Sequence, residues 1–176
     1  MNLKLHMLIR MTLMGFLCWL GVSIYVVGQS GRHATRDLTL TADQLQMILV
    51  APPELVDTPP DHILIRQFVP QLDLLPHLHA VVSHAGHNTV CETLAHGIPL
   101  IVAPIRDDQP IIAGQVTDAG AGIRVHFGRV STTQLRNAIT TVLDNPSYRT
   151  AARRIQNSFT AAGGATTAAD HLEKLL

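Results

Sequence analysis

The stretch SHAGHNTVCETLAHG, Ser83 to Gly97, brings three histidines, several small residues and one acid together in fifteen positions. Such residues could serve a metal site, a hydrolytic site or a cradle for phosphates. Five histidines (His77, His79, His84, His87 and His96) fall within twenty residues. Zinc needs four ligands at set spacing, or three plus water. His77 and His79 precede the apolar run AVVS, whereas His84 and His87 follow it. A strand of that length, at about 3.3 Å per residue, holds the two pairs too far apart for one ion. No metal is therefore expected, and His77, His79 and His96 read as surface or packing residues. Ser83 makes a weak nucleophile. Its neighbour His84 points away from it on a strand end, and no G-x-S-x-G elbow occurs. Cys91 reads as a small hydrophobe under a helix.

A phosphate cradle fits the residues as a set. A turn leading from AVVS into a helix exposes unpaired backbone N–H groups at the positive end of a dipole. An anion is the natural guest there. Gly86, without a Cβ, lets the backbone approach a ligand closely. Asn88 and Thr89 are capping types whose side chains also donate to phosphate oxygens. His84 can donate from a ring nitrogen. Glu92, one turn on, can accept from a diol such as a ribose. A second cluster, IRDDQ, places Asp108 and Gln109 on the next strand's loop. An acid and an amide together suit vicinal sugar hydroxyls, since one accepts and the other does both. Asp108 is equally suited to cap the following helix. Asp107 and Asp108 have no neighbours to complete a cation's oxygen shell.

The elements around these residues alternate. Val22–Val27 reads as a buried parallel strand followed by the loop GQSG, and Thr41–Met47 as a short helix. From Leu49, the proline-rich LVAPPELVDTPPDH argues against both helix and central strand. HILIRQFV is a strand, PQLDLLPHL a turn with a short helix, and AVVS a buried strand. Asn88–His96 is a helix closed by Gly97 in the left-handed region. IPLIVAP and GIRVHF are further strands around a helix that opens near Pro110 and ends at Gly120 and Gly122. Ser131 and Gln134 form a capping box ahead of a stripe of Leu135, Ala138, Ile139, Val142 and Leu143. Asn145-Pro146 separates that helix from one with Tyr148, Ala152, Ile155 and Phe159 as its apolar stripe. A last helix runs from Gly163-Gly164 to Leu176. Strands alternating with helices imply a doubly wound parallel sheet, whose ligands sit at the carboxyl ends of the strands.

Composition narrows the function classes. The chain has 176 residues, 47% of them hydrophobic, with 13 basic and 13 acidic side chains. This balance offers no electrostatic footprint for nucleic acid. Cys18 and Cys91 cannot form a disulfide framework, so a reduced compartment is expected. Met11–Val27 carries no charge over 17 residues. It sits at the short limit for a membrane span, so it is either an anchor or a buried segment.

The long segment FVPQLDLLPHLHAVVSHAGHNTVCETLAHGIPLIVAPIRDDQ, Phe68 to Gln109, resembles the donor-binding signature of nucleotide-diphosphate-sugar glycosyltransferases. The bacterial antibiotic and macrolide type, with erythromycin-pathway members, is the nearest subgroup. The resemblance continues through AGAGIRVHFGRVSTTQLRNAITTVL and covers roughly residues 48–176. It implies an α/β fold, a Rossmann-like parallel sheet with helices on both faces, as the C-terminal half of a GT-B fold. SIYVVGQSG would be a degraded first strand and loop. The chain then divides into an N-terminal hydrophobic segment, 1–36, and a nucleotide-sugar-binding domain, 37–176.

By the same resemblance, Phe68 replaces the usual Trp beside the base, and Gln71 contacts the base or ribose. His84, Gly86, Asn88 and Thr89 hold the diphosphate, Glu92 the ribose hydroxyls, and Asp108 and Gln109 the transferred sugar. The nucleotide sugar is a substrate, and no cofactor or bound metal is implied. The family's general base is a histidine on an N-terminal acceptor domain that residues 1–47 are too short to supply. His6 and His33 are poor candidates for it, so the catalytic base is unassigned.

The implied activity is hexosyl transfer from a UDP- or dTDP-sugar to a small-molecule or lipid acceptor. This chain would supply the donor-binding half and a separate acceptor-binding subunit the rest. The alternative is a truncated, catalytically inert nucleotide-sugar-binding module. A metal-binding regulatory domain built on the histidines is a third option. Because nucleotide sugars are made in the cytosol, the expected location is the cytoplasm, with any anchor leaving the domain facing it.

Overall fold

The computed structural model describes residues 24–26, 47–53 and 58–175. Six short strands among them form one sheet: β1 (Ile24–Val26), β2 (Met47–Val50), β3 (Ile63–Arg66), β4 (Ala80–Ser83), β5 (Leu100–Val102) and β6 (Gly122–Arg124). Their spatial order is β3-β2-β1-β4-β5-β6. β2 and β3 pair in parallel, as do β4 with β5 and β5 with β6. Short helices α1 (Gln71–Leu74) and a 3-10 turn (Leu75–His77) lead into β4. Helix α2 (His87–Ala95) joins β4 to β5, and α3 (Gln109–Asp118) joins β5 to β6. Helices α4 (Thr132–Asp144), α5 (Pro146–Ala161) and α6 (Gly164–Glu173) complete the chain.

Alternate strand residues point to opposite faces, and the core divides accordingly. Leu100 and Val102 of β5 pack with Val90, Leu94, Ala113 and Val116 from α2 and α3. Ile101, between them in sequence, packs on the other face with Leu135, Ala138 and Val142 of α4. Helices thus cover both faces, as expected of this fold class. The predicted capping box at α4 is present: Ser131 Oγ accepts from Gln134 N at 3.2 Å, and Gln134 Oε1 accepts from Ser131 N at 2.8 Å. Helix α5 ties the rear of the sheet together. Arg149 donates to the carbonyl oxygens of Leu78 and His79 at 3.4 and 3.2 Å. Gln156 donates to Ala95 O at 3.0 Å, and Arg154 to Ala119 O at 3.2 Å. These last two supply donors to carbonyls at the ends of α2 and α3, where intrahelical partners run out.

The sheet differs from a purely parallel one. β1 runs antiparallel to both β2 and β4, with Tyr25 opposite Ile48 and Val81. The apolar run IYV announces a buried strand, but period and composition carry no strand direction. The strand at Val22–Val27 is therefore present as Ile24–Val26, in the reverse sense. Met47, placed by periodicity at the end of a helix, opens β2 instead; residues 41–46 of that helix lie outside the described residues. Leu49 and Val50 likewise belong to β2, inside the sheet, because the prolines begin only at Pro52. Of Met11–Val27, only Ile24–Val26 is described, and there Tyr25 and Val26 are buried in the sheet. The membrane-span expectation otherwise lies outside the described residues. Among them, no helix is long and apolar enough to cross a membrane. Helix α6 stops at Glu173 rather than Leu176, with no buried residue of its own.

Candidate functional site

The carboxyl ends of β4 and β5 meet at Ser83 and Val102, and Ala103 N donates to Ser83 O at 2.8 Å. Beyond that point the chain turns sharply. Ala85, fully buried, has φ of 66°, a conformation disfavoured for residues with a side chain. Its N–H donates to Ser83 Oγ at 3.1 Å, so the serine serves as a turn brace. Gly86 then caps α2 without a side-chain hydrogen bond, and α2 starts at His87. The first bond inside the helix runs from Val90 N to Gly86 O at 3.0 Å. The N–H groups of His87, Asn88 and Thr89 therefore have no intrahelical acceptor. His87 and Asn88 are exposed and Thr89 is half-buried, so this end of the helix faces outward. Asn88 and Thr89 lie in the first turn rather than at the cap, which belongs to Gly86.

His84 packs over Gly86. A Cβ at Gly86 would sit 2.7 Å from His84 Nε2, so the glycine makes room for the imidazole as well as for any ligand. The ring's Nδ1 is buried with no hydrogen-bond partner. Burial lowers the ring's pKa below the usual 6.5, and the charge of Asp108 opposes the shift. That coupling links the loop after β4 to the loop after β5. In the second loop Asp107 takes φ of 56°. Asp108 holds the cap position of α3, exposed, with no side-chain cap bond. Gln109 folds its Oε1 back to accept from Ile105 N and Arg106 N at 2.9 and 3.1 Å. Its amide oxygen therefore shapes the loop, leaving the NH2 as the group able to donate outward.

Gln71 and Glu92 meet directly, although 21 residues separate them: Gln71 Nε2 donates to Glu92 Oε2 at 2.5 Å. On the other side of the amide, Tyr25 Oη donates to Gln71 Oε1 at 2.6 Å. Phe68, between β3 and α1, is 81% exposed and presents its ring to solvent. The structure thus pairs Gln71 with Glu92 and couples His84 with Asp108. Asn88 and Thr89 stand at the open end of α2. Two contributors escaped the sequence reading. Ser83 was weighed only as a nucleophile. Tyr25 carried one signal, a phenol in an otherwise aliphatic strand, and a buried phenol calls for a partner. Two further histidines make contacts within α2 and its cap. His87 Nε2 lies 3.6 Å from Cys91 Sγ, and His96 Nδ1 lies 2.9 Å from Glu92 O. Cys91 is half-buried. Among the described residues, no three His, Cys, Asp or Glu side chains gather as metal ligands.

Known proteins share this arrangement of elements. The family profile described as UDP-glucoronosyl and UDP-glucosyl transferase matches residues 50–158. The chain is 32% identical over 134 residues to 4'-demethylrebeccamycin synthase of Lentzea aerocolonigenes, covering 76% of this chain and 32% of that protein. The glycotransferase of kitacinnamycin superposes with a TM-score of 0.66 at 31% identity, over 72% of this chain and 33% of its own. Os79 from O. sativa, solved with UDP and deoxynivalenol-3-glucoside, superposes with a TM-score of 0.52 at 31% identity, over 55% of this chain and 24% of its own. The chain thus spans about a third of the length of the first two relatives. With the profile covering more than half of the sequence and the sheet and helices superposing on solved relatives, the chain belongs to the UDP-glycosyltransferase family, of GT-B architecture.

Proposed function

We propose that this chain supplies the donor-binding half of a hexosyl transfer from a UDP- or dTDP-sugar to a small-molecule or lipid acceptor. The observation that carries the reading is the Gln71–Glu92 pair in a chain whose α2 opens with free N–H groups beside His84. UDP calls for both features, an acceptor for its vicinal ribose hydroxyls and donors for its paired phosphoryl groups; dTDP, a 2'-deoxynucleotide, would offer Glu92 its 3'-hydroxyl alone. Phe68 would lie beside the base, with Gln71 at the base or ribose. Glu92 would take the ribose hydroxyls, while His84, Gly86, Asn88 and Thr89 hold the diphosphate. Asp108 and Gln109 would take the sugar. In the transfer, the acceptor oxygen bonds to the anomeric carbon as the bond to the diphosphate breaks. Charge developing on the leaving group falls against the N–H groups of α2 and His84, which are oriented before reaction begins. The acceptor's proton passes to a base contributed by an acceptor-binding region, and no metal or cofactor is required. The natural setting is the cytoplasm, where nucleotide sugars are made.

Calorimetric titration with UDP and a UDP-sugar tests the binding step. Glu92→Ala should weaken UDP by about 1–3 kcal/mol, the cost of unmade hydrogen bonds to a carboxylate; unchanged affinity would put the ribose elsewhere. Transfer is then assayed with and without a polypeptide supplying the acceptor-binding region. A second reading, an inert nucleotide-sugar-binding module, keeps the same site without the transfer. Binding without transfer in either assay would select it.

A further inference from the structure

We propose that Tyr25 is a positioning residue for the carboxylate of Glu92, acting through Gln71 to set the site's preference for a nucleotide with free ribose hydroxyls. This rests on the donor-site reading above. An ionised carboxylate only accepts hydrogen bonds, so the Gln71 group that meets Glu92 must be the NH2. That sends the amide oxygen toward Tyr25, and the phenol must donate to it. The relay therefore has one direction: Tyr25 O–H to Gln71 Oε1 at 2.6 Å, then Gln71 Nε2–H to Glu92 Oε2 at 2.5 Å. It crosses from β1 through α1 to α2, joining residues 46 and 21 positions apart.

The anchor is rigid and the middle member is not. Tyr25 is 2% exposed, with its ring in a core of Ile48, Leu64, Leu75, Val81 and Ile98. Its strand is paired on both edges. Gln71 is half-buried on a helix of four residues, and an amide turned end for end would set its oxygen against the Glu92 carboxylate. The Tyr25 hydroxyl removes that option. With Oε2 engaged by Gln71, the carboxylate keeps one orientation and presents its remaining lone pairs to two adjacent hydroxyls. Groups placed in this way add more than their pairwise bonds, because each polarises the next.

Tyr25→Phe keeps the ring and removes only the donor. We expect it to weaken UDP by about 3- to 10-fold, the range of one net hydrogen bond. Affinity for 2',3'-dideoxy-UDP should stay the same. The loss on UDP should also vanish in a Gln71→Met background, where the relay is already cut. An unchanged UDP affinity, or equal losses on both nucleotides, would overturn the proposal. A wild-type protein that binds the two nucleotides equally would instead overturn the donor-site reading beneath it. The Gln71 side-chain amide signals of the ligand-free protein test the relay separately, by nuclear magnetic resonance. They should shift in Tyr25→Phe, and signals left in place would refute the relay whatever the nucleotide data show.

Discussion

His84 shows how one residue's surroundings set its chemistry. Its imidazole is lowered in pKa chiefly by burial, so at neutral pH it is an uncharged ring able to donate from one nitrogen. Proton affinity is then higher in the unfolded chain than in the folded one, and acid favours unfolding. Stability from this group is present above 6.5, the unfolded value, and is lost as pH falls through the lower folded value. His79 is shifted the same way, also chiefly by burial. Melting temperature should therefore drop as pH falls below 6.5, and His84→Gln should make that drop shallower. A variant with the wild-type slope would show that His84 is not among the titrating groups. At this scale the sequence brought candidate residue types together around one turn. It named His84, Gly86 and Glu92 because a phosphate cradle needs those types close together in the chain. It could not reveal Tyr25, whose partner lies 46 positions away.

Elements add constraints that spacing alone hides. Strand β6 begins at Gly122, where a Cβ would lie 2.2 Å from Leu100 O and 2.9 Å from Val116 Cγ1. The nearer contact is backbone of the neighbouring strand, which cannot yield without breaking the ladder. Gly122→Ala should cost about 3 kcal/mol, the upper range for overpacking, measured by denaturant midpoint. Gly114 in α3 meets nothing within 4 Å. There an alanine should add about 0.5–1 kcal/mol by helix propensity. Equal effects at the two sites would mean that the β5–β6 contact is looser than its geometry. The boundaries of α2 to α5 were legible to within a residue or two, since Gly97, Ser131 and Asn145-Pro146 act locally. Strand direction was not, because an apolar run packs equally well either way round. β1 shows this: its residues were recognised and its sense was not.

On the scale of the whole molecule, the loops after β4 and β5 and the start of α2 lie at the carboxyl ends of these two inner strands, while α5 braces the opposite ends of the helices. A ligand that binds only the folded state stabilises all of it. At about 100 times its Kd, UDP should add about 2.7 kcal/mol. Hydrogen exchange should slow most at residues 84–92 and 105–109 and least along α6, which buries no residue of its own. Uniform slowing, or protection centred on α6, would place the nucleotide elsewhere. The amino-acid order alone established the α/β class and the element succession from β3 to α5, with a turn from AVVS into α2. Each depends on periodicity, caps and residues close in sequence, whose interactions are short-ranged. Folding alone determined that β1 runs against its neighbours, that Gln71 clasps Glu92 under the hand of Tyr25, and that His84 shares a field with Asp108. Those contacts join distant segments, and their free energy exists only once the sheet has brought the segments together.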